Sequence, residues 1–119
     1  MTETGAETKM EDNDFFQFVY AAAQNGNALA QRQLSHLYQG AKDFPENPAK
    51  AFKWKLTAAE NGDISSQISV ASQYFHGWYI DQNLSEAKRW YLEAAKSGDV
   101  HAQYMLAAKS ALSEFGDGD

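Results

Sequence analysis

The sequence contains no cysteine, only two prolines among its 119 residues, and no long apolar run. Without cysteine it can form neither a disulfide framework nor a thiolate zinc site, so nothing indicates an oxidising compartment. No apolar segment approaches the ~20 residues that cross a bilayer. The first 14 residues are polar and mostly acidic, unlike a signal peptide. These absences predict a soluble, cytoplasmic protein with no membrane segment, and the length of 119 residues fits one domain.

Basic residues are scarce, with 10 Lys and Arg against 16 Asp and Glu and a formal net charge of −6. Half of the acidic residues lie in 1–14 and 114–119, which together hold a single lysine. We therefore expect a flexible acidic tail at each end of a folded domain that spans 15–113, whose net charge is +1. The acidic balance of the chain argues against nucleic-acid binding, which must neutralise phosphates.

What the sequence does contain is an internal repeat of 36 residues. Superposing the chain on itself at this interval aligns the same residue types three times. The clearest columns are Gly26, Gly62 and Gly98; Gln31, Gln67 and Gln103; Leu34, Val70 and Leu106; and Phe18, Trp54 and Trp90. Pairs of alanines precede each of the three glycines. So many coincident columns predict repeated structural units.

Within each repeat, apolar residues recur at the three- and four-residue spacing of a helix. In the first helix the predicted buried stripe comprises Phe15, Phe18, Val19, Ala22 and Ala23. Each glycine ends a helix in a left-handed turn, and the Asn or Asp after it caps the next helix. Asn47 and Asn83 are predicted caps after the two longer connections. The predicted helices span roughly 14–25, 28–39, 48–61, 64–76, 84–97 and 100–113, and no segment favours a strand.

The motif Lys50-Ala51, Trp54, Ala58-Ala59, Gly62-Asp63 and Gln67 resembles the Sel1-like repeat family, and the residues from 86 to 103 match its pattern more closely still. The resemblance covers about 15–113. It implies an all-α fold, a right-handed α/α solenoid of about three antiparallel helix pairs, related to tetratricopeptide repeats. Members of this family mostly act as scaffolds for protein complexes.

The inter-repeat loops depart from the family pattern, which places Gly-x-Gly-Val there. In the second loop, Tyr79 stands where the second glycine is expected. In the first loop, which contains Asp43, the glycine is displaced by one position. A left-handed backbone would penalise Tyr strongly and Asp mildly, so either loop is a candidate for a different conformation. In the last helix, Lys109 and Ser110 replace less polar residues of the repeat, which favours a capped and complete array.

No catalytic or metal-binding pattern is present. The three histidines, His36, His76 and His101, lie in different repeats and lack ligand spacing. Glycine-rich phosphate loops and nucleophile elbows are also missing. We therefore predict a protein that is not an enzyme and needs no cofactor; an enzyme would require a polar cluster in a pocket.

Two surfaces are candidates for binding a peptide or a protein. One is the groove expected along the helices that follow the Gly-Asn and Gly-Asp corners, where side chains vary between repeats while the packing columns recur. The other is the loop with Trp78 and Tyr79, since exposed loop aromatics often anchor interfaces. Packing against neighbouring helices is the alternative for both. The predicted partner-binding residues are Arg32, His36, Gln39, Ile68, Ser72, Phe75, Trp78, Tyr79 and Tyr104.

The leading hypothesis is thus a non-catalytic protein–protein interaction module. It could be an adaptor in a larger assembly or a small cytoplasmic immunity or inhibitor protein that neutralises a toxin, and the sequence does not separate the two. An enzyme is the remote alternative. We expect a protein or peptide partner, no nucleic acid and no membrane, with a monomer favoured.

Overall fold

The computed structural model describes residues 13–41 and 45–111, with side chains described up to Lys109. Within these ranges the chain forms helices joined by turns and connections, and it forms no strand. The helices are α1 (Asp14–Gln24), α2 (Ala28–Tyr38), α3 (Pro48–Glu60), α4 (Ile64–His76), α5 (Leu84–Lys96) and α6 (Val100–Ala111). Each lies within two residues of its predicted bounds, so the all-α repeat fold expected from the sequence is confirmed.

The helix ends follow the predicted chemistry. Asn27, Asn47 and Asn83 each accept a hydrogen bond from the backbone N–H three residues on, at 2.9 to 3.2 Å. Such caps satisfy N–H groups that the first helical turn leaves without a partner. At the three corners the glycines have φ between 92° and 95°, the left-handed conformation that lets the chain reverse within a few residues.

The chain consists of two compact units that divide after Asp63. In the N-terminal unit, α2 packs against both α1 and α3. Its core is a cluster of apolar side chains joined by aromatic contacts, in which the ring of Phe16 stacks on Tyr20 and meets the edge of Tyr38. The buried members are Phe16, Val19, Ala23, Ala30, Leu34, Tyr38 and Ala51.

In the C-terminal unit, α5 packs against both α4 and α6. Small residues predominate in its interior, so the helices approach closely around two large aromatic side chains, Trp90 and Tyr91. Trp90 is 3% exposed and Tyr91 is fully buried. The remaining buried apolar residues are Val70, Ala71, Ala87, Ala94 and Ala102.

The predicted buried stripe of α1 is wrong in part. Val19 and Ala23 are buried as expected, but Phe16 joins them, while Phe15 and Phe18 are 51% and 74% exposed. Helical spacing alone marks both neighbouring faces as apolar. Only one of them faces α2, and within the described ranges no helix precedes α1 to cover the other.

Several sequence-based predictions lie outside the described residues. These include the acidic segments 1–12 and 114–119, Asp43 of the first inter-repeat loop, and the side chain of Ser110. The division into two tails and a central domain therefore stays a prediction, as does the right-handed superhelix.

Candidate interaction surface

The N-terminal unit contains three of the predicted binding residues, all on or next to α2. Arg32 and His36 lie one turn apart, and Gln39 is the C-cap of the helix. His36 and Gln39 are exposed, and the Arg32 side chain is 33% exposed. Arg32 Nε lies 3.0 Å from Oδ2 of Asp63, a charge contact without a well-directed hydrogen bond. This part of α2 therefore presents polar groups at the surface.

A buried lysine lies beside these residues and was not predicted from the sequence. Lys55 on α3 is only 8% exposed, and burial lowers the pKa of its ammonium group. The signal that could have found it is its repeat column. That column contains Val19, Lys55 and Tyr91. The other two members of the column, a valine and a tyrosine, are common in protein interiors, so the column indicates that Lys55 occupies a core position.

The pKa of His36 depends on these neighbouring charges. Its pKa is lowered first by partial burial and then by the neighbouring cations Arg32 and Lys55, whereas Asp63 opposes the shift. Arg32, His36 and Lys55 are thus three basic groups close to one another, and the carboxylate of Asp63 raises the pKa of His36. An acidic side chain of a partner could form charge-assisted hydrogen bonds with such an array.

The C-terminal unit contains the other six predicted residues. Ile68, Ser72 and Phe75 on α4 are partly buried rather than open. Ser72 Oγ lies 3.2 Å from the hydroxyl of Tyr91, so this serine also bonds within the unit. The ring of Phe75 lies beneath Lys109, whose Nζ is 5.3 Å from the ring centroid. Packing therefore accounts for much of the surface of these three side chains.

The loop after α4, unlike these partly buried positions on the helix, has exposed aromatic side chains. Trp78 is 54% exposed and Tyr79 is 76% exposed, which places two large aromatic side chains side by side at the surface. Tyr79 has φ = 65° and is the one non-glycine residue with positive φ in the described chain. The backbone has kept a left-handed conformation here despite the tyrosine, at a cost of about 1–2 kcal/mol.

The conformation of this loop is held by contacts on both sides of Trp78. The His76 imidazole stacks on the indole ring with centroids 4.2 Å apart. The Gln73 side-chain amide donates to the carbonyl of Trp78 at 3.0 Å, and the Gln73 carbonyl accepts from the Trp78 N–H at 3.2 Å. On the other side, Gln82 Nε2 donates to the Phe75 carbonyl at 2.7 Å. The Trp78 backbone is therefore hydrogen-bonded to Gln73, and its exposed indole ring stacks on His76.

Tyr104 on α6 is 66% exposed. Of the three predicted groove residues with apolar side chains, Ile68 and Phe75 are partly buried and Tyr104 is exposed. The single groove expected from the predicted residues stays a prediction.

Metal binding and membrane insertion are two alternatives to protein binding. In residues 13–41 and 45–111, no group of three or more His, Asp or Glu side chains is placed to hold a metal ion. Over the same part of the chain, no helix combines the length and apolarity needed to span a membrane.

The repeat itself identifies the family. A model of the Sel1 repeat matches residues 28–63, 64–99 and 100–118. The chain belongs to the Sel1 repeat family. Its units begin at α2, α4 and α6, so a Sel1 repeat joins α2 to α3 across the long connection and α1 precedes the first match. The helix pairs expected across the glycine corners are therefore offset by one helix from the repeats of the family.

Solved structures agree with this assignment. The fold is similar to that of a Sel1 repeat protein from Oxalobacter formigenes, with a TM-score of 0.75 and 28% identity over 82% of this chain and 73% of that one. It is also similar to a protective antigen present in uropathogenic Escherichia coli strains that displays an SLR fold. Here the TM-score is 0.67 and the identity 30%, over 83% of this chain and 21% of the antigen. No curated protein matches the sequence.

Sel1 repeats are generally protein–protein interaction modules, and proteins built from them are typically non-catalytic scaffolds. A scaffold of this kind presents side chains on a regular set of helices, and its specificity depends on the residues that vary between repeats. In this Sel1 repeat protein the varying residues include Arg32, Ile68 and Tyr104, which share one column.

Proposed function

We propose that this Sel1 repeat protein is a non-catalytic module that binds a peptide or protein surface and uses the Trp78–Tyr79 loop as its anchor. The observation that carries the proposal is the left-handed backbone of Tyr79 combined with its 76% exposure. Folding alone favours glycine at such a position, because an exposed tyrosine adds strain and gains little burial. A tyrosine kept there is best accounted for by a contact outside the chain.

The neighbouring Trp78 supports this role through its preorganisation. Immobilising a side chain at an interface costs about 0.5–1.5 kcal/mol, and a residue that is already ordered avoids much of that cost. Stacking on His76 and the two hydrogen bonds to Gln73 hold Trp78 in place. Tryptophan and tyrosine are also the residues most enriched at the energetic centres of interfaces.

The predicted groove residues supply a second, weaker contact in this proposal. Arg32, His36 and Gln39 offer polar groups, and Tyr104 offers an exposed aromatic ring. A partner surface with aromatic-binding pockets would suit the exposed aromatic side chains of the C-terminal unit, and an acidic side chain would suit the polar groups on α2. The cytoplasmic location and the absence of nucleic-acid binding stay predictions.

The proposal is tested with Trp78→Ala combined with Tyr79→Gly. Proteins captured from the source cell by the wild type and by this variant are compared by mass spectrometry, and the affinity for each candidate is then measured with purified components. We expect the variant to lose at least ~2 kcal/mol of binding free energy. Tyr79→Gly alone should raise the free energy of unfolding by up to about 1 kcal/mol, because the left-handed strain is relieved.

Leu92→Ala is the matched control, since Leu92 is also an exposed apolar residue of the C-terminal unit, at 41% exposure. It should bind the same partner as the wild type. Equal affinity of the loop variant and the wild type for every partner would contradict the anchor. One stoichiometric partner whose toxicity is neutralised would favour an inhibitor, and several members of one complex would favour an adaptor.

A further inference from the structure

Two exposed faces of the molecule are copies of faces that are buried elsewhere in it, and the first lies on α1. On the 36-residue repeat, α1 is equivalent to α3 and α5. Phe15 aligns with Ala51 and Ala87, and Phe18 aligns with Trp54 and Trp90. The two alanines and Trp90 are at most 4% exposed and Trp54 is half-buried, whereas Phe15 and Phe18 are 51% and 74% exposed. We call Phe15 and Phe18 the α1 face.

The N-terminal unit shows what such a face contacts. There α3 packs on α2, and Ser35 Oγ donates to the Ala51 carbonyl at 2.7 Å in a fully buried contact. Next to it, Asn61 Nδ2 donates to Gln31 Oε1 at 2.9 Å. The partner of the α1 face is therefore expected to be a helix of the α2 type.

The α6 helix is of that type and has an exposed face of its own. Ala107 is exposed although its equivalents Ser35 and Ala71 are fully buried, and Gln103 is exposed although Gln31 and Gln67 are buried. Gln103 Nε2 donates to the Ala95 carbonyl, just as Gln31 donates to Ala23. We call Gln103 and Ala107 the α6 face. No helix follows α6 in the described part of the chain.

We propose that copies of this chain associate end to end, with the α1 face of one copy on the α6 face of the next. The contact continues the α2–α3 packing of the N-terminal unit between two molecules. Phe18 takes the place of Trp54 in it. Asn25, the equivalent of Asn61, is the donor for Gln103 Oε1. This proposal differs from the monomer that the sequence analysis favoured.

Two features limit the strength of this association. Phe15 is bulkier than the alanines in its column, so α1 and α6 of the two copies lie further apart than α2 and α3. In the sequence, the acidic segments 1–14 and 114–119 flank the helices α1 and α6, and they carry net charges of −4 and −3. Their mutual repulsion is screened by salt, so association should tighten as ionic strength rises.

The contact is heterologous, because two different faces meet, and this makes it testable by complementation. We would measure molar mass against concentration by sedimentation equilibrium at low and high salt. Wild type should gain mass with concentration, more strongly at high salt. Phe18→Glu and Ala107→Glu should each weaken self-association at least about tenfold, because each places a charge in the contact.

An equimolar mixture of these two variants should restore a dimer and nothing larger, because each variant keeps the face that the other has lost. Leu29→Glu is the control, since Leu29 is 58% exposed and belongs to neither face; it should associate as the wild type does. Circular dichroism would establish that each variant is folded.

A wild type that stays monomeric at every concentration and salt would overturn the proposal. So would a symmetric pattern, in which Phe18→Glu abolishes dimers while Ala107→Glu leaves them intact. The Trp78→Ala, Tyr79→Gly variant should self-associate normally, which keeps this outcome separate from that of the proposed partner-binding function.

Discussion

The two units use the same helical framework but place different chemistry where two neighbouring helices meet. At one pair of equivalent positions, the N-terminal unit has Lys55 and the C-terminal unit has Tyr91. At another pair, His36 in the first unit corresponds to Ser72 in the second. The first unit therefore has charged groups that interact with one another, and the second has a hydroxyl pair 3.2 Å apart.

The difference shows which features of a Sel1 repeat are constrained and which are free. The corner glycines and the capping residues recur because the backbone needs them. The positions between helices tolerate either a lysine or a tyrosine, because a lysine can bury its methylene stem and keep its ammonium near polar groups. Substitutions at equivalent positions of the two units test this contrast, from the largest expected effect to the smallest.

Replacing Tyr91 by alanine should have the largest effect. The side chain is fully buried, so its removal leaves a cavity and an unmatched Ser72, at a cost of about 3–5 kcal/mol in unfolding free energy. Lys55→Ala is the matched change in the other unit. It should cost less than half as much, because the lost packing of the stem is offset by removal of a desolvated charge. If urea denaturation showed the same loss of unfolding free energy for both variants, the expected difference between the two units would be wrong.

The glycines at the start of the two long connections should also differ. At Gly77 a Cβ would lie 3.3 Å from both the backbone N and the Cβ of Gln82, whereas at Gly40 it would lie 3.7 Å from Glu46 Cβ, an ordinary contact. Both have positive φ, so alanine is strained at either position. We expect about 1–2 kcal/mol for Gly40→Ala from strain alone and a larger loss for Gly77→Ala. Thermal unfolding that ranks them in the opposite order would contradict the close approach of Gln82 to Gly77.

The smallest effect should be a pH dependence confined to the N-terminal unit. Because burial, Arg32 and Lys55 lower the pKa of His36, the unfolded chain binds this proton more tightly than the folded chain. The stability linked to neutral His36 is therefore present above the ordinary pKa of 6.5 and is lost as pH falls below it.

His36→Gln should flatten this part of the stability–pH curve, while Ser72→Ala at the equivalent position should leave it unchanged. In Lys55→Met, where one of the two cations is gone, the imidazole titration followed by NMR should move up towards its ordinary value. A downward movement would mean that the charges around His36 act on its pKa in the opposite sense.

Some parts of the candidate site were predictable and others were not. The position of Trp78 and Tyr79 in a loop outside the repeat columns was predictable, although the sequence left open whether they are exposed or pack between repeats. The left-handed backbone of Tyr79 was not, since the sequence allowed either strain or a different loop conformation. Lys55 was missed because helical periodicity reports which face a residue occupies, and a lysine on a buried face is normally read as exposed.

By itself the sequence determined the six helices found in residues 13–41 and 45–111, their bounds to within two residues, and the family. These features depend on local interactions, such as a cap three residues from its donor, and on a period that the chain repeats three times. Only the tertiary structure decided which apolar faces are covered. Phe18 and Trp90 are equivalent in sequence, yet one is exposed and the other is buried. Burial depends on whether another helix packs there, and no local pattern encodes that.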